Sequence, residues 1–421
     1  MSPQAVLAQP FTLPGGAVIK NRLFKSAMSE ALGTREGAAT PELVRLYGAW
    51  ADGGIGLCVT GNVMIDRRAL GEPGNVVIED ERFLAELQAW AKAATRNGTQ
   101  CWVQLNHPGK QAPKGLNKEN IAPSAVPFRA EMQAFFPTPR EMTEAEIQEV
   151  IRRFAHAAEL VKRAGFTGVQ IHGAHGYLVS QFLSPHHNRR TDDWGGTPEK
   201  RRRFVLCVLE AMREKVGPGF PIGIKLNSAD FQRGGFTEEE SLDTIRALSD
   251  AGIDLIEISG GTYEAPAMTG VKHKVETAKA STKQREAYFL AFAEKARQAV
   301  KTPLVVTGGF RSLQGMADAI TSGAVDFVGV ARALAIEPDV PNRLLAGQQP
   351  QHQVRPLKTG IGYIDKMGMM EVVWYTGQLK RIGRGESPKP GEMPLWVFIK
   401  YIAKQAGIGR GKKRPGKLRA S

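Results

Sequence analysis

The sequence predicts a (β/α)₈ barrel, which is a closed sheet of eight parallel strands surrounded by helices. Short apolar runs alternate eight times with longer helical patterns over about 350 residues, as repeated β–α units do. In addition, no GxGxxG motif follows any of these runs, which argues against a separate Rossmann domain. A doubly wound open sheet is the rival architecture, and eight successive units without a mononucleotide-binding motif favour the closed barrel.

The predicted strands are short and rich in branched apolar residues, which suit a buried parallel sheet. They cover Arg22–Ala27, Ile55–Thr60, Cys101–Leu105, Gly168–His172, Ile222–Leu226, Leu255–Ile258, Leu304–Thr307 and Phe327–Val330. In a barrel of this type the chemistry is found at the carboxyl ends of the strands, so the residues that end these runs are the first candidates for a functional site.

The predicted helices lie between the strands. They cover Pro41–Asp52, Glu81–Asn97, Glu144–Ala164, Glu199–Lys215, Glu238–Ala251, Gln284–Val300, Leu313–Ser322 and Pro338–Ala346. Thr40 is expected to cap the first of them, and Thr143 with Glu146 has the spacing of a capping box. Glycines that suit the left-handed position after a helix are Gly165, Gly252 and Gly323.

Composition places the chain among folded globular proteins. It has 421 residues, of which 42% are hydrophobic and 23% charged, and this excludes a disordered, collagenous or disulfide-scaffold protein. The three cysteines, Cys58, Cys101 and Cys207, are too far apart in sequence for a zinc knot or an iron–sulfur motif, and the first two are expected to be buried thiols. No signal peptide or membrane span is apparent, so a cytoplasmic location is expected.

The net charge of +14 is concentrated near the end of the chain. Residues 351–421 hold 15 Lys and Arg against 4 Asp and Glu, whereas the preceding 350 residues are nearly neutral. We therefore divide the chain into a barrel, residues 1–350, and a basic, partly helical C-terminal extension, residues 351–421.

Unusual residues follow the predicted strands on one end of the barrel. The fourth strand runs into His-Gly-Ala-His-Gly-Tyr-Leu at 172–178, and its two histidines lack an obvious third ligand for a metal. The other strand ends carry Ser26, Ala27, Met28, Ser29, Gly61, Gln104, Lys225, Gly308, Gly309, Ala331 and Arg332. Loops after the seventh and eighth strands usually bind phosphate in this fold, and Arg332 offers a guanidinium for it.

With these motifs the chain resembles the Old Yellow Enzyme family of flavin-dependent ene-reductases and NAD(P)H:flavin oxidoreductases. The resemblance covers about residues 5 to 347 and is most specific in one continuous region. The stretches that carry it are 21–28 (NRLFKSAM), 103–110 (VQLNHPGK), 121–124 (IAPS), 172–185 (HGAHGYLVSQFLSP), 188–196 (NRRTDDWGG), 307–309 (TGG) and 331–334 (ARAL).

The resemblance implies one bound FMN, with NAD(P)H as the hydride donor and no metal. Gln104 would pair with the flavin pyrimidine through its amide, and Lys225 would face the negative charge near N1 of the reduced ring. Ser26, Ala27, Met28, Ser29 and Gly61 would line the ring, and His172 would also contact the flavin. Gly308, Gly309, Ala331 and Arg332 would hold the phosphate.

For the acceptor, the resemblance implies that His172 and His175 bind the carbonyl oxygen of an electron-poor alkene, or the oxygen of a phenol. Two donors on one oxygen polarise the C=C bond and stabilise the enolate that forms. Tyr177 would give a proton to the α-carbon. The predicted activity is hydride transfer from NAD(P)H through flavin to an activated alkene or a quinone.

The chain also departs from the family pattern in its first strand loop. Ser29 stands where threonine or cysteine is common, and Ala27 where proline is frequent. No aromatic residue occupies Ala31, where one subgroup supplies a tyrosine to the substrate pocket. The resemblance therefore does not name the acceptor. Two alternatives stay open: an FMN-dependent dehydrogenase of amines or other substrates, and a non-catalytic flavoprotein scaffold tethered by its basic tail.

The C-terminal extension lacks the cysteines that hold an iron–sulfur cluster in longer family members. Trp396, Phe398, Tyr401 and Ile402 could anchor an amphipathic helix, with Lys400 and Lys404 beside them. Its three alternative partners are the barrel or a second subunit of a homo-oligomer, a membrane surface, and nucleic acid. Packing is favoured, because a solvated tail would leave the large rings of Trp374, Tyr375 and Trp396 exposed, and no nucleic-acid partner is expected. Residues 1–347 alone are then expected to bind FMN.

Overall fold

A computed structural model describes residues 1–262, 283–310, 312–354, 357–361 and 369–410 of the chain. Eight parallel strands close into a barrel, because the first strand pairs with both the last and the second. They are β1 (Leu23–Lys25), β2 (Leu57–Met64), β3 (Gln100–Asn106), β4 (Gly168–Gly173), β5 (Ile222–Asn227), β6 (Leu255–Ser259), β7 (Leu304–Thr307) and β8 (Phe327–Val330). The predicted (β/α)₈ barrel is confirmed.

Helices follow the strands and cover the outside of the barrel. They are α1 (Pro3–Ala8), α2 (Pro41–Asp52), α3 (Leu84–Ala94), α4 (Glu144–Ala164), α5 (Leu178–Leu183), α6 (Pro198–Val216), α7 (Glu238–Asp250), α8 (Lys283–Ala299), α9 (Leu313–Thr321), α10 (Arg332–Ile336), α11 (Val340–Leu345), α12 (Met369–Gly383) and α13 (Pro394–Arg410). The helix predicted over Glu81–Asn97 is shorter than expected, because 3₁₀ turns replace its first and last residues.

The predicted helix ends follow from local chemistry. The Thr40 side chain accepts from the amide of Leu43, and Thr143 with Glu146 forms the reciprocal capping box expected at the start of α4. These contacts satisfy amide groups that have no partner within the helix. Gly165 ends α4 with a φ of 93°, a left-handed conformation that costs glycine little.

Strand β2 differs from its prediction. It continues past Thr60 to Met64, and its pairing with β3 shifts register between Val59 and Asn62. Gly61 therefore lies in a bulge within the strand and not at its end. A Cβ atom on Gly61 would collide with the Met28 carbonyl and the Glu30 carboxylate, so the β1 loop needs glycine here.

The amino ends of the strands are sealed by the chain itself. A two-stranded ribbon, Phe11–Thr12 with Val18–Ile19, precedes β1, and its apolar side chains join Phe24, Trp102 and Phe327 in a buried cluster inside the barrel. Because this end is filled with apolar groups, the carboxyl ends of the strands are left to carry the polar residues.

The extension contributes two helices that behave differently. Helix α12 packs against α2 and α10, and burial leaves only 2% of Trp374 exposed. Trp374 also donates its indole N–H to the carbonyl of Glu392, which connects α12 to the chain before α13. In α13, however, Trp396 is 57% exposed. The predicted packing on the barrel is thus confirmed for Trp374 and Tyr375 and wrong for Trp396, whose packing on a second subunit stays a prediction.

Parts of the extension lie outside the described residues, including residues 362–368 and the basic tail from residue 411. The division at residue 350 stays a prediction. Among the helices that the structure describes, none combines the length and the apolarity needed to cross a bilayer.

Candidate active site

A chain of buried amides crosses the carboxyl half of the barrel. The Gln104 side chain on β3 donates from Nε2 to Oε1 of Gln170 on β4, at 2.7 Å. Gln170 in turn donates from Nε2 to Oε2 of Glu257 on β6, at 2.9 Å. All three residues are 1% exposed or less. The chain of hydrogen bonds therefore ends on a fully buried carboxylate.

The other carboxylate oxygen of Glu257 contacts groups on or after three further strands. Its Oε1 accepts from Ser26 after β1 and from Thr307 on β7 (2.8 Å), and it lies 3.3 Å from Nζ of Lys225 on β5. Lys225 also donates to Ser26 Oγ at 2.8 Å. Burial lowers the pKa of Lys225, and the Glu257 carboxylate opposes that shift. The predicted residues Ser26, Gln104 and Lys225 are thus joined in one network.

The loop after β1 is held by two carboxylates, of which Glu30 is buried and Glu72 half-buried. Ser29 donates its hydroxyl to Glu72, and burial raises the pKa of Glu72. Glu30 accepts from the Gly61 amide at 2.9 Å and from Tyr47. Through these contacts the backbone around Met28 is fixed against the bulge of β2, as the predicted flavin-lining position requires.

The histidine motif is shaped by its backbone at the end of β4. His175 has a φ of 60°, and Gly176 after it has a φ of 76°. Residues other than glycine are uncommon in this left-handed region, although histidine is one of the types enriched there. The His175 amide is held by the Asn227 side-chain oxygen at 3.2 Å. The turn brings the rings of His172 and His175 to a centroid distance of 5.2 Å.

Both histidines are neutral at ordinary pH. Burial, together with His175 and Lys225, holds the pKa of His172 well below its usual range, and burial with Lys225 lowers the pKa of His175 to about 3. The Ala174 amide donates to Nδ1 of His172 at 3.3 Å, so the proton of this neutral ring is on Nε2. His172 is therefore an N–H donor, and His175 Nε2 contacts Ser259 Oγ at 2.7 Å.

Tyr177 stands beside this pair. Its ring centroid is 4.7 Å from that of His172, and its hydroxyl accepts from Asn62 Nδ2 at 3.3 Å. His172 is the register partner of Lys225 in the neighbouring strand, so the histidine group adjoins the Glu257 network. The described residues place no third metal ligand with the two histidines.

The loops after β7 and β8 carry the residues that are predicted to bind phosphate. Gly308 and Gly309 are both left-handed, with φ of 95° and 90°, and open space surrounds the Gly308 Cα. Arg332 begins α10 directly after Ala331, and its side chain is 41% exposed. Its Nη1 donates to Glu371 of α12 at 2.6 Å. No feature of the sequence indicates that the extension reaches this arginine.

FMN fits this set of residues. The network presents an amide at Gln104 and a cation at Lys225, which match the two polar sides of a flavin pyrimidine, and the glycine turn at 308–309 with Arg332 suits one phosphate. Helix α12 contacts both ends of the predicted site, because Thr376 also donates to the Ser29 carbonyl at 3.1 Å.

Sequence reasoning missed several residues that complete the site: Asn62, Glu72, Gln170, Asn227, Glu257, Ser259, Glu371 and Thr376. A signal was present for two of them. Gln170 and Glu257 are polar residues in the middle of otherwise apolar strands, and a buried polar side chain requires partners.

The fold and the polar groups at the carboxyl ends of its strands define a flavin-dependent oxidoreductase built on a (β/α)₈ barrel. Residues 6–351 match the sequence model of the NADH:flavin oxidoreductase / NADH oxidase family. The chain belongs to this family, and the resemblance to the Old Yellow Enzyme family is confirmed. As such it uses FMN, with NAD(P)H as the hydride donor and small molecules as its partners.

Individual relatives are similar over most of the chain. An NADH-dependent flavin oxidoreductase of Talaromyces variabilis is 36% identical over 409 residues, which cover 90% of this chain and 98% of that protein. An NADPH dehydrogenase of a Geobacillus strain is 32% identical to this chain, and the match covers 93% of that protein. The structure of an old yellow enzyme homologue from Zymomonas mobilis has a TM-score of 0.70 at 23% identity, covering 83% of this chain and 94% of that one, and shows a shared fold.

Proposed function

We propose that this protein reduces a C=C bond conjugated to a carbonyl group, or a quinone, at the carboxyl end of its barrel. The observation that carries the proposal is the cluster of neutral His172, His175 and Tyr177 next to the Lys225 network. Neutral imidazoles bind an uncharged carbonyl oxygen as hydrogen-bond donors, and a phenol ring nearby has a proton to give.

FMN, when bound, supplies the hydride-accepting and hydride-donating ring. Gln104 and Lys225 would hold its pyrimidine, and Gly308, Gly309, Ala331 and Arg332 would hold its phosphate. Ser26, Ala27, Met28, Ser29, Gly61 and His172 would line the ring. These assignments make one face of the ring available to substrates.

His172 would donate its Nε2 proton to the acceptor oxygen, with an N–H of His175 as the second donor. The two bonds stabilise the negative charge that develops on this oxygen as hydride adds to the β-carbon. Tyr177 would then transfer its hydroxyl proton to the α-carbon, and Asn62 orients that hydroxyl. NAD(P)H and the acceptor would occupy the same space in turn, because the family match covers a single barrel.

We expect His172→Ala and His175→Ala each to weaken the binding of 4-hydroxybenzaldehyde to the FMN-loaded protein by about 1.5–3 kcal/mol, the range for hydrogen bonds to a charged group. The measurement is a titration of the long-wavelength charge-transfer band. Because the pKa values of both rings are lowered, affinity should show no step near pH 6.5 and should rise only as the phenol ionises.

His156→Ala is the matched control, since this histidine lies half-exposed on α4 beside Glu159. If both site variants kept the wild-type affinity for the phenol and an unchanged charge-transfer band, the two histidines would have a structural role and would not bind the phenol. Rapid anaerobic oxidation of NAD(P)H by the wild type would favour this reductase. Neither a non-catalytic scaffold nor a substrate dehydrogenase needs to oxidise NAD(P)H.

We further propose that helix α13 binds an anionic membrane surface. Trp396, Ile399 and Ala403 have the i, i+3, i+7 spacing of one helix face and are exposed, and Ile399 is 45% exposed. Lys400 lies beside them, and the extension carries a charge surplus of 11 basic groups. A second copy of this chain would bring the same charge against the first, so an anionic bilayer fits the face better. The cytoplasmic location stays a prediction.

Flotation with vesicles containing phosphatidylserine tests this surface. We expect the full chain to float, Trp396→Ser/Ile399→Ser to sediment, and binding to weaken with salt, since each basic group contributes about 1 kcal/mol. Val372→Ser is the matched control, because Val372 is 50% exposed on α12. Equal flotation of both variants, or equal binding to neutral vesicles, would contradict the proposal.

A further inference from the structure

One buried carboxylate gathers the side chains that we assign to the flavin pyrimidine. Glu257 is fully buried, and its two oxygens contact groups from four other strands or strand ends. We propose that Glu257 is a positioning residue that fixes the direction of the Gln104 amide and sets the net charge beside Lys225, and thereby sets the affinity and the reduction potential of bound FMN. The inference rests on the proposed function, which places Gln104 and Lys225 against the cofactor.

Glu257 determines the direction of the hydrogen bonds along the chain of amides. An ionised carboxylate can only accept, so the Gln170 amide must turn its NH₂ group to Glu257 and its oxygen to Gln104. Gln104 must then turn its own NH₂ group to Gln170 at 2.7 Å. This leaves the Gln104 oxygen, and the second hydrogen of its NH₂ group, for a partner in the site. That is the donor and acceptor pattern that a flavin N3–H and its neighbouring C2 carbonyl require.

Glu257 also determines the net charge beside Lys225. Lys225 has one ammonium charge, and the Glu257 carboxylate lies 3.3 Å from it in a site that excludes water. The carboxylate offsets much of the field that Lys225 would otherwise exert on the ring. A neutral group at position 257 would leave the cation uncompensated, which favours the more negative, reduced state of the cofactor.

A purely structural role would explain the network less well. Buried ion pairs often contribute little net stability, because the cost of desolvating both charges is close to the attraction between them. Here both branches from Glu257 end on predicted flavin contacts, one through Gln170 to Gln104 and the other directly at Lys225. The carboxylate is therefore placed to act on the cofactor.

The test is Glu257→Gln, which keeps the size of the side chain and removes its charge. We expect the reduction potential of bound FMN, measured by anaerobic spectroelectrochemical titration, to rise. A tenfold change in the ratio of the affinities for reduced and oxidised FMN corresponds to about 30 mV for a two-electron couple. We also expect oxidised FMN to dissociate more readily, because a glutamine at 257 lets the amide chain reverse.

Gln170→Leu separates the effect of Glu257 on hydrogen-bond direction from its effect on charge. It also tests the role of Glu257 if Glu257→Gln does not fold. It breaks the amide chain without changing a charge, so FMN affinity should fall while the potential changes little. Glu240→Gln is the matched control, since Glu240 pairs with the buried Arg201 away from the network. It should affect thermal stability alone.

The outcomes separate this inference from the proposed function. Wild-type protein that holds no FMN would overturn the proposed function. Wild-type protein that holds FMN, with an unchanged potential in Glu257→Gln and an unchanged affinity in Gln170→Leu, would overturn the role of Glu257 alone. A shift of the potential in Glu240→Gln equal to that in Glu257→Gln would also overturn it, because a general effect of packing would then suffice.

Discussion

Tyr177→Phe should slow the reduction of an enone by about 10²-fold, the lower end for general acid catalysis. Saturation of the alkene requires a proton at the α-carbon, and the ring of Tyr177 lies beside the His172 ring whose N–H would hold the carbonyl. The measurement is stopped-flow reoxidation of the reduced enzyme by 2-cyclohexenone under anaerobic conditions.

Two other reactions serve as internal controls for this variant. The oxidation of NAD(P)H needs no proton from tyrosine, and quinones take their protons on oxygen from solvent, so both rates should stay near wild type. The phenylalanine ring preserves the packing against His172. An equal loss in all three reactions would assign Tyr177 to packing, and an unchanged enone rate would require another proton donor.

The barrel could be predicted from the sequence because its signal is repeated. Each strand prediction rests on a short apolar run, and each helix on a cap such as Thr143 with Glu146 or a terminal glycine such as Gly165. The exceptions are local events that depend on tertiary contacts. Strand β2 runs on through Gly61 because Glu30 and Met28, from another strand loop, pack against its bulge.

The candidate site could be predicted where a residue lies at or after the carboxyl end of a predicted strand. His172 and Arg332 were visible for that reason, Lys225 lies one residue before such an end, and their individual assignments to FMN and substrate stay predictions. Gln170 and Glu257 lie among apolar neighbours inside their strands, and their importance depends on which side chains face each other across the barrel, which the sequence order does not show. Glu371 was missed because it comes from the extension, about 40 residues after Arg332.

The extension was interpreted as one unit, and the structure divides it. Large rings in α12 are buried on the barrel, whereas Trp396 in α13 faces outward. Both helices carry aromatic residues and lysines, so composition alone could not tell a packed helix from an exposed one. The contacts of α12 with Arg332 and the Ser29 carbonyl also argue against the expectation that residues 1–347 alone retain the flavin site.

A chain that ends after Gly347 should therefore lose both stability and FMN. It lacks α12, whose buried side chains include Trp374, Tyr375 and Leu379, and removal of a single buried Trp typically costs about 3–5 kcal/mol. The apolar face of α2 that α12 covers would be left exposed, and the Ser29 loop would lose its contact with Thr376. We expect a clear fall in the melting temperature and a higher dissociation constant for FMN, measured by calorimetry and by fluorescence of the free cofactor.

A chain that ends after Met393 is the matched control, since it retains α12 together with the Glu392 carbonyl that accepts from Trp374. It lacks α13 and should keep the wild-type melting temperature and FMN affinity while losing any vesicle binding. Glu371→Gln adds a further comparison, because it keeps an acceptor for Arg332 but removes the negative charge next to the predicted phosphate, so FMN should bind at least as tightly as in the wild type. If the chain ending after Gly347 held FMN as tightly as the full chain, α12 would be a neighbour of the site and no part of it.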